Sequence, residues 1–262
     1  TGNSNIVIGS EALRDENVSS VVAIGSRAGL YNSGNDNVYL GDQAGRNSGA
    51  GTDQVIIGHD AGYYAYNNDV VIIGESAGYY ATGSNNVFIG KEAGKGGQTS
   101  APYSSGQNNT ALGYKALTAF TTGATNVSIG SYSLESITTG YANVAIGYYA
   151  GSDLTTGLRN VIIGENAGLY ETNSYNTYIG YEAGKGSSSG NASNGYNVAV
   201  GYQALTDVRS ASSNTAVGLQ AGNNMDEGDD NVLLGAYSGL AMTDGSKNIA
   251  IGRDAGYSLT TG

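Results

Sequence analysis

Short segments of alternating apolar and polar residues recur along the whole chain. The stretch "NVAIGYYAG" at 143–151 has near-copies at 86–94, 160–168 and 248–256. When the copies are aligned on the glycine of the "-IG-" step, fifteen are found, and twelve of the fourteen intervals are 16 or 17 residues long. We call these residues the motif glycines: Gly9, Gly25, Gly41, Gly58, Gly74, Gly90, Gly113, Gly130, Gly147, Gly164, Gly180, Gly201, Gly218, Gly235 and Gly252.

This period favours a β-solenoid. A repeat shorter than about 20 residues is too short for a helical hairpin but fits one coil of a β-solenoid. No tract without the motif is long enough to form a separate domain. We therefore predict an all-β fold, a parallel β-solenoid of about fifteen coils of 16–17 residues, as a single domain over 1–262. The two longer intervals hold inserts at 95–107 and 185–196, which we expect to form surface loops.

The positions around the motif glycine, numbered from it, predict the shape of a coil. Position −1 is always Ile, Leu or Val, and position −3 is always Val, Ile or Thr. Such alternation is typical of a strand with one buried face. Position +3 is Ala in thirteen copies and Ser in two. We expect a thin coil of two short strands, in which the aliphatic wall at −1 and −3 faces the alanine wall.

Position −2 predicts an oligomer. Alternation then places this column away from the core of the coil, yet no charged or amide residue occurs there in fifteen copies. An apolar stripe of this length exceeds what a soluble monomer normally exposes. We therefore predict an oligomer interface formed by Val7, Ala23, Tyr39, Ile56, Ile72, Phe88, Ala111, Ala145, Ile162, Tyr178, Ala199, Ala216, Leu233 and Ala250.

Position −4 is asparagine in twelve copies. Asparagine tolerates the left-handed conformation of turns, and stacked amides can hydrogen-bond from one rung to the next. We predict a structural ladder formed by Asn5, Asn37, Asn86, Asn109, Asn126, Asn143, Asn160, Asn176, Asn197, Asn214, Asn231 and Asn248.

Composition and charge argue against several classes of partner and chemistry. The formal net charge of −11 disfavours binding to a nucleic-acid backbone. The absence of cysteine excludes a disulfide scaffold and thiol catalysis. No apolar run approaches the roughly 20 residues of a membrane span, so we expect no membrane insertion of this segment. The repeat pattern is already present at the first residues and continues to the last, so we expect the chain to be a piece of a longer fibre.

Candidate chemistry is sparse. His59 is the only histidine, and no carboxylate keeps a constant partner, so the sequence predicts no enzyme and no catalytic residue. No cofactor is predicted. The acidic turns at 34–37 and 227–231 are best interpreted as solvated turns, with Ca²⁺ binding through their oxygen atoms as the alternative.

Paired tyrosines are the remaining candidates for ligand binding. They are Tyr63, Tyr64, Tyr79, Tyr80, Tyr148 and Tyr149. Stacked tyrosines form an amphipathic surface that suits sugar rings or other flat ligands. The alternative, which we favour, is an aromatic ladder whose rings support one another and bind nothing else.

The repeat resembles two known families. "NVAIGYYAG" at 143–151 is similar to the head repeats of YadA-like trimeric autotransporter adhesins, and "NVAVGYQAL" at 197–205 resembles the arrays of phage tail fibres. This resemblance covers almost the whole chain. It implies a left-handed parallel β-roll wound as a homotrimeric fibre.

The resemblance also implies a function. We expect a structural or adhesive segment, either a trimeric adhesin head or a phage tail-fibre shaft, that attaches to a host cell or surface. The expected location is extracellular, on a cell surface or a virion, and the expected partners are two further copies of the chain and a cell-surface glycan or protein receptor. The alternative is a monomeric solenoid that binds a periodic ligand, a polysaccharide or ice, on its regular face.

Overall fold

A computed structural model describes residues 3–14, 17–187 and 195–261. The described chain is all-β, without a helix, and divides into two compact units, Thr1–Tyr132 and Ser133–Gly262. Each unit is a parallel β-solenoid with one short strand per coil. The strands of unit 1 are β1 Ile6–Ile8, β2 Val22–Ile24, β3 Val38–Leu40, β4 Gln54–Ile57, β5 Val70–Ile73, β6 Val87–Ile89, β7 Thr110–Leu112 and β8 Val127–Ile129. Those of unit 2 are β9 Val144–Ile146, β10 Val161–Ile163, β11 Thr177–Ile179, β12 Val198–Val200, β13 Thr215–Val217, β14 Val232–Leu234 and β15 Ile249–Ile251.

Within each unit, strands that follow each other in sequence pair in parallel and in register. Val161 pairs with Thr177 and Ile162 with Tyr178, so each repeat position is aligned with the same position of the next coil. The register survives the first insert, because Val87 of β6 pairs with Thr110 of β7. A parallel register of this kind turns every sequence position into a column of side chains along the unit.

The motif glycine is required by the close approach of neighbouring coils. At Gly164 the backbone has a φ of 136°, a conformation that side chains rarely adopt. A Cβ added there would lie 2.3 Å from the carbonyl oxygen of Gly180 in the next coil. Both facts disfavour any other residue at Gly164. At Gly252, in the last coil, an added Cβ would have nothing within 4 Å, but the positive φ is shared by all fifteen motif glycines and explains why every copy keeps the glycine.

The chain after the motif glycine turns instead of forming a second strand. Positions +2 and +4 have left-handed backbones, as at Asn166 (φ 54°) and Gly168 (φ 52°). Alternating signs of φ curl the backbone and cannot extend it. The prediction of two strands per coil is therefore wrong: the alanine wall belongs to a corner, and the described part of each coil has a single strand.

The column at −2 forms the core of the coil and not an oligomer interface. The residues buried there are Ala23, Tyr39, Ile56, Ile72, Phe88, Ala111, Ala145, Ile162, Tyr178, Ala199, Ala216, Leu233 and Ala250. Val7, the first member of the predicted set, is 44% exposed and is the exception. The predicted interface is thus wrong, because the strand points position −2 inward, toward the alanines at +3. Charged residues are absent from this column because the chain itself buries it.

An aromatic ring at −2 requires glycine at +4. A Cβ on Gly94 would lie 2.3 Å from the Phe88 ring, and one on Gly184 would lie 2.4 Å from the Tyr178 ring. Leucine replaces the second glycine only where position −2 is smaller, as with Ala111 in the coil of Leu117. The close packing of the coil leaves no space for both a ring at −2 and a side chain at +4.

Candidate functional site

The outward side chains of the strands form an apolar surface in each unit, which we call the strand face. It consists of positions −1 and −3, which flank the buried −2 residue in every strand. All its members are Ile, Val or Leu except Thr110, Thr177 and Thr215. Most are half-buried by their neighbours in the column, and some are more open, such as Leu40 at 42% and Leu112 at 44%. The strand face therefore has the apolar character that the sequence assigned to the −2 column.

The size of the strand face sets it apart from scattered surface residues. Parallel strands lie about 4.8 Å apart, and side chains two residues apart span about 7 Å, so each unit presents on the order of 300 Å². Contiguous apolar patches of this size often mark interaction sites on soluble proteins.

The asparagines at −4 link the coils within each unit. The backbone N–H of Asn176 donates to Asn160 Oδ1 over 2.8 Å, and that of Asn160 donates to Asn143 Oδ1 over 3.0 Å. Asn160 Nδ2 also donates to the backbone oxygen of Asn173 over 2.8 Å. The same backbone-to-amide bond is made by Asn109, Asn126, Asn197, Asn214, Asn231 and Asn248.

The left-handed residue of this turn precedes the asparagine. Arg159, at position −5, has a φ of 56°, and the ladder asparagines are not among the residues with positive φ. The amides are used for hydrogen bonds between coils, and most of them are buried. They therefore form a structural element and leave no amide free for a ligand.

The tyrosines of unit 1 pack against one another. Tyr63 stacks on Tyr79 with ring centroids 4.9 Å apart, and Tyr64 stacks on Tyr80 at 5.9 Å. Tyr103, from the insert at 95–107, stacks on Tyr64 at 4.5 Å and on Tyr80 at 5.8 Å. The rings are half-buried, so this geometry favours the self-supporting ladder over a ligand surface. Tyr103 was not predicted, and its place outside the repeat left no positional signal.

Two charged residues, Arg46 and Asp60, border this tyrosine cluster. The guanidinium of Arg46 lies 5.3 Å from the Tyr63 ring centroid and donates to the Tyr63 hydroxyl. Burial raises the pKa of Tyr79 to about 12 and also raises the pKa of Asp60. Arg46 Nε and Asp60 Oδ1 are shielded from solvent without a hydrogen-bond partner. The Arg46 contact and the stacking of the rings leave little tyrosine surface exposed to solvent.

Tyr148 and Tyr149 lie at an open groove in unit 2. Their rings meet edge to face with centroids 4.4 Å apart, and Tyr148 is 48% exposed. Burial raises the pKa of the Asp153 carboxyl in the same groove. The groove has a volume of about 390 Å³ and is lined by Tyr148, Tyr149, Ser152, Asp153, Asn166, Leu169 and Tyr170.

A second aromatic column in unit 2 escaped the sequence analysis. Arg159, Tyr175 and Tyr196 all occupy position −5, where most coils have Ser, Asp or Asn. Their shared repeat position is visible in the sequence, but neither tyrosine belongs to an adjacent pair, which is the pattern on which the prediction depended.

The acidic turns and the histidine show no metal site. Asp229 Oδ1 accepts the backbone N–H of Ser212 over 2.7 Å, so this carboxylate supports a turn. His59 lies 3.6 Å from both Asp42 and Asp60 at the surface. Over 3–14, 17–187 and 195–261, no three His, Cys, Asp or Glu side chains are grouped to hold a metal ion.

The first insert extends from its coil as a loop. In this insert, Gln98 N–H donates to Ser104 Oγ over 3.2 Å, and the chain rejoins the coil where the Thr82 N–H donates to the Ser104 carbonyl over 2.7 Å. The greater part of the second insert at 185–196, residues 188–194, lies outside the described residues.

Comparisons with known proteins identify no relative. No family model, curated protein or solved structure matches the chain. In the part of the chain that the structure describes, no helix has the length and apolarity needed to cross a membrane.

Proposed function

We propose that this chain is a structural segment of a homotrimeric fibre that attaches to a host cell or surface. The strand face is the observation that carries this proposal. It is apolar over every strand of each unit, it lacks charge, and a single chain leaves it open. Copies arranged around an axis parallel to the strand stack would cover it continuously.

The regular geometry supports self-association. Within each unit, the coils present their two outward residues in register with the next coil, so two copies can match along the length of a unit. Burying on the order of 300 Å² of apolar surface per unit contributes about 7 kcal/mol before the entropy lost on association. The resemblance of the repeats to trimeric adhesin heads and tail fibres supports three copies, an extracellular location and a non-catalytic role.

Native mass measured by light scattering tests the proposal. We expect a mass near three times 26.6 kDa for the unaltered chain. Ile179 of the strand face is 37% exposed, and Ile179→Lys places a charge in the interface while its aliphatic stem still packs on the sheet. This variant should shift the mass to one chain.

Thr156→Lys is the matched control, because Thr156 is exposed in a corner outside the strand face. It should keep the mass of the unaltered chain, and circular dichroism should show that both variants fold. A mass of one chain for the unaltered protein contradicts the proposal.

The same measurement decides between the two candidate functions. A monomer would leave a flat, regular array of β-branched side chains exposed, which favours the alternative of a periodic ligand such as a polysaccharide or ice. In that case Ile179→Lys should reduce retention on the polysaccharide or activity in an ice-recrystallisation assay, and Thr156→Lys should not.

A further inference from the structure

The most open aromatic stack of the described chain lies in unit 2, at position −5. The Tyr175 and Tyr196 rings are nearly parallel, at 2°, with centroids 5.0 Å apart. Below them the Arg159 guanidinium lies 5.7 Å from the Tyr175 centroid, and its Nη1 donates to the Tyr175 hydroxyl over 3.0 Å. Tyr196 ends the stack and is 65% exposed. We call Arg159, Tyr175 and Tyr196 the aromatic column.

The backbone shows that the fold does not require aromatic residues at this position. Tyr175 and Tyr196 both have a φ of 65°, in the left-handed region that disfavours bulky side chains. Other coils satisfy the same turn with residues that tolerate it, such as Asp36, Asn85 and Asp230. Tyrosines also adopt this region at Tyr132, Tyr149 and Tyr237, so the turn accepts tyrosine at position −5 without requiring it.

Within the described residues, one face of the Tyr196 ring lies in the stack and no second ring covers the other face. Among the described residues, its stacking partner is Tyr175. The next coil has the small Ser213 at position −5, which leaves space over the outer face of Tyr196. That space is part of an open groove of about 490 Å³ lined by Asn173, Ser174, Tyr175, Gly195, Tyr196, Ser212 and Ser213.

The lining of the groove combines one kind of apolar surface with many hydrogen-bonding groups. Two aromatic rings supply the apolar surface, and amide, hydroxyl and backbone groups surround them. A ligand that fits has a flat apolar face and a polar rim. Sugars in the pyranose form with equatorial hydroxyl groups have this shape, because their axial C–H groups form a flat patch and their hydroxyls point outward.

We propose that the aromatic column is a saccharide-binding site that takes a β-linked hexopyranose unit of a polysaccharide. The sugar ring stacks on the outer face of Tyr196, and its hydroxyls bond to the groups around Ser174 and Ser213. Arg159 holds the Tyr175 ring in place beneath Tyr196. The site is separate from the strand face, so it goes beyond self-association and does not depend on it.

The other tyrosine clusters fit this role less well. In unit 1, Tyr64 and Tyr80 already contact Tyr103 with their ring faces. Tyr148 and Tyr149 meet edge to face, which presents no flat platform. A second stack in unit 2, Tyr202 on Tyr181 with centroids 5.1 Å apart, is less open, because Tyr202 is 50% exposed. Tyr196, at 65%, is the most exposed tyrosine of the described chain, and it lies on the Tyr175 ring.

Saturation-transfer NMR and calorimetry with cellotetraose and chitotetraose test the proposal, with sorbitol as a polyol that lacks a ring face. At about 10 mM sugar, which detects even weak affinity, at least one tetrasaccharide should bind, with the strongest transfer at the axial ring protons. Sorbitol should show none. Absence of binding by both tetrasaccharides overturns the proposal.

Tyr196→Asn separates binding from folding. Asparagine suits the left-handed backbone, so the melting temperature should stay the same or rise, while the affinity for the tetrasaccharide should fall at least about tenfold. Tyr257→Asn, at an exposed tyrosine outside the column, should leave binding unchanged. Unchanged binding by Tyr196→Asn, or a lower melting temperature with unchanged binding, overturns the proposal and assigns the column to the fold.

Discussion

Two buried tyrosines, one in each unit, solve the same packing problem with different chemistry. Tyr39 of unit 1 and Tyr178 of unit 2 both occupy position −2 and are fully buried. In each case the hydroxyl reaches position +7 of the preceding coil, which is Asn32 in unit 1 and Glu171 in unit 2. The comparison isolates the effect of a charged partner at one position of a repeated core.

The partners of Tyr39 are neutral and numerous. Its hydroxyl lies 2.6 Å from Gln54 Oε1, 2.9 Å from Ser48 Oγ and 3.0 Å from Asn32 Oδ1. Gln54 Nε2 in turn donates to the backbone oxygen of Asn67 over 2.6 Å. Asn32 Oδ1 also accepts from Ser48 Oγ and Asn37 Nδ2, so these groups keep partners without the hydroxyl, and the remaining acceptor, Gln54 Oε1, is neutral.

The hydroxyl of Tyr178 donates to a buried carboxyl, and the Asn197 side chain is a further polar neighbour. The Tyr178 hydroxyl donates to Glu171 Oε2 over 2.8 Å, while Glu171 Oε1 accepts the backbone N–H groups of Thr172 and Asn173 over 2.9 and 2.7 Å. Burial raises the pKa of Glu171 in spite of these three donors. Because the carboxyl is buried, each of these three hydrogen-bond donors contributes strongly to stabilising its ionised form.

A third coil shows what happens when the hydroxyl is absent. Phe88 occupies position −2 in unit 1, and position +7 of the preceding coil is Ala81, which is also buried. Phe88 packs instead against Phe120, with ring centroids 5.6 Å apart. A polar partner at +7 thus accompanies both tyrosines at −2, because a buried hydroxyl without a partner is costly.

The largest expected effect comes from removing the Tyr178 hydroxyl. Tyr178→Phe leaves Glu171 Oε2 buried without its donor and should lower the free energy of unfolding by about 2–3 kcal/mol. Tyr39→Phe, the matched variant of unit 1, should lower it by only about 1 kcal/mol, because Asn32 and Ser48 can still bond to each other and the acceptor left behind, Gln54 Oε1, is uncharged. Urea unfolding measures both. Equal losses would show that charge makes no difference at this position.

A somewhat smaller loss should follow from adding a hydroxyl where none is accommodated. Phe88→Tyr places an oxygen next to Ala81, which offers no side-chain partner, and should lower the free energy of unfolding by about 2 kcal/mol. Adding Ala81→Asn to that variant supplies the partner found beside Tyr39 and should recover part of the loss. No recovery in the double variant would contradict the pairing of −2 with +7.

Replacing both Glu171 and Tyr178 should lower the free energy of unfolding by less than replacing Tyr178 alone. Glu171→Ala combined with Tyr178→Phe reproduces the pair formed by Ala81 and Phe88. We expect a loss of about 1 kcal/mol relative to the unaltered protein, because the buried carboxyl and hydroxyl are both removed, and Thr172 and Asn173, whose N–H groups lose their acceptor, are not fully buried and can bond to water. The test is a double-mutant cycle measured by urea unfolding, and strictly additive losses would disprove the coupling.

The smallest effect concerns pH. The raised pKa of Glu171 means that the folded state binds the proton more tightly than the unfolded chain, whose glutamate has a pKa near 4.5. This contribution to stability is complete below that pH and is lost as the pH rises through the folded pKa. Glu171→Gln should therefore flatten the decline of the urea midpoint above pH 4.5. Glu165→Gln, at an exposed carboxylate, should leave the decline unchanged.

Much of the fold could be predicted because its signals are periodic. The spacing of the motif glycines predicts one coil per repeat, and all fifteen "-IG-" steps end a short parallel strand. The amide column at −4 is equally visible, because stacking aligns it for hydrogen bonds from coil to coil. These features depend on local chemistry repeated many times, which a sequence displays directly.

The candidate sites were harder to predict. Tyr63 and Tyr64 are adjacent in sequence, but whether their ring faces are open depends on Tyr103, which arrives from a loop outside the repeat. Tyr175 and Tyr196 are 21 residues apart, across the second insert, and become neighbours only through the coil register. Exposure of a ring is a property of its surroundings, and no single position encodes it.

The sequence by itself determined the repeat, the strand positions and which residues share a face of each strand. It left open which of the two faces is inside, because alternation with a period of two is symmetric and both faces here are apolar. Only the tertiary structure decided this. The left-handed residues at +2 and +4 curl the chain so that Ala at +3 meets position −2, and that closure buries Ile162 while it turns Ile163 outward.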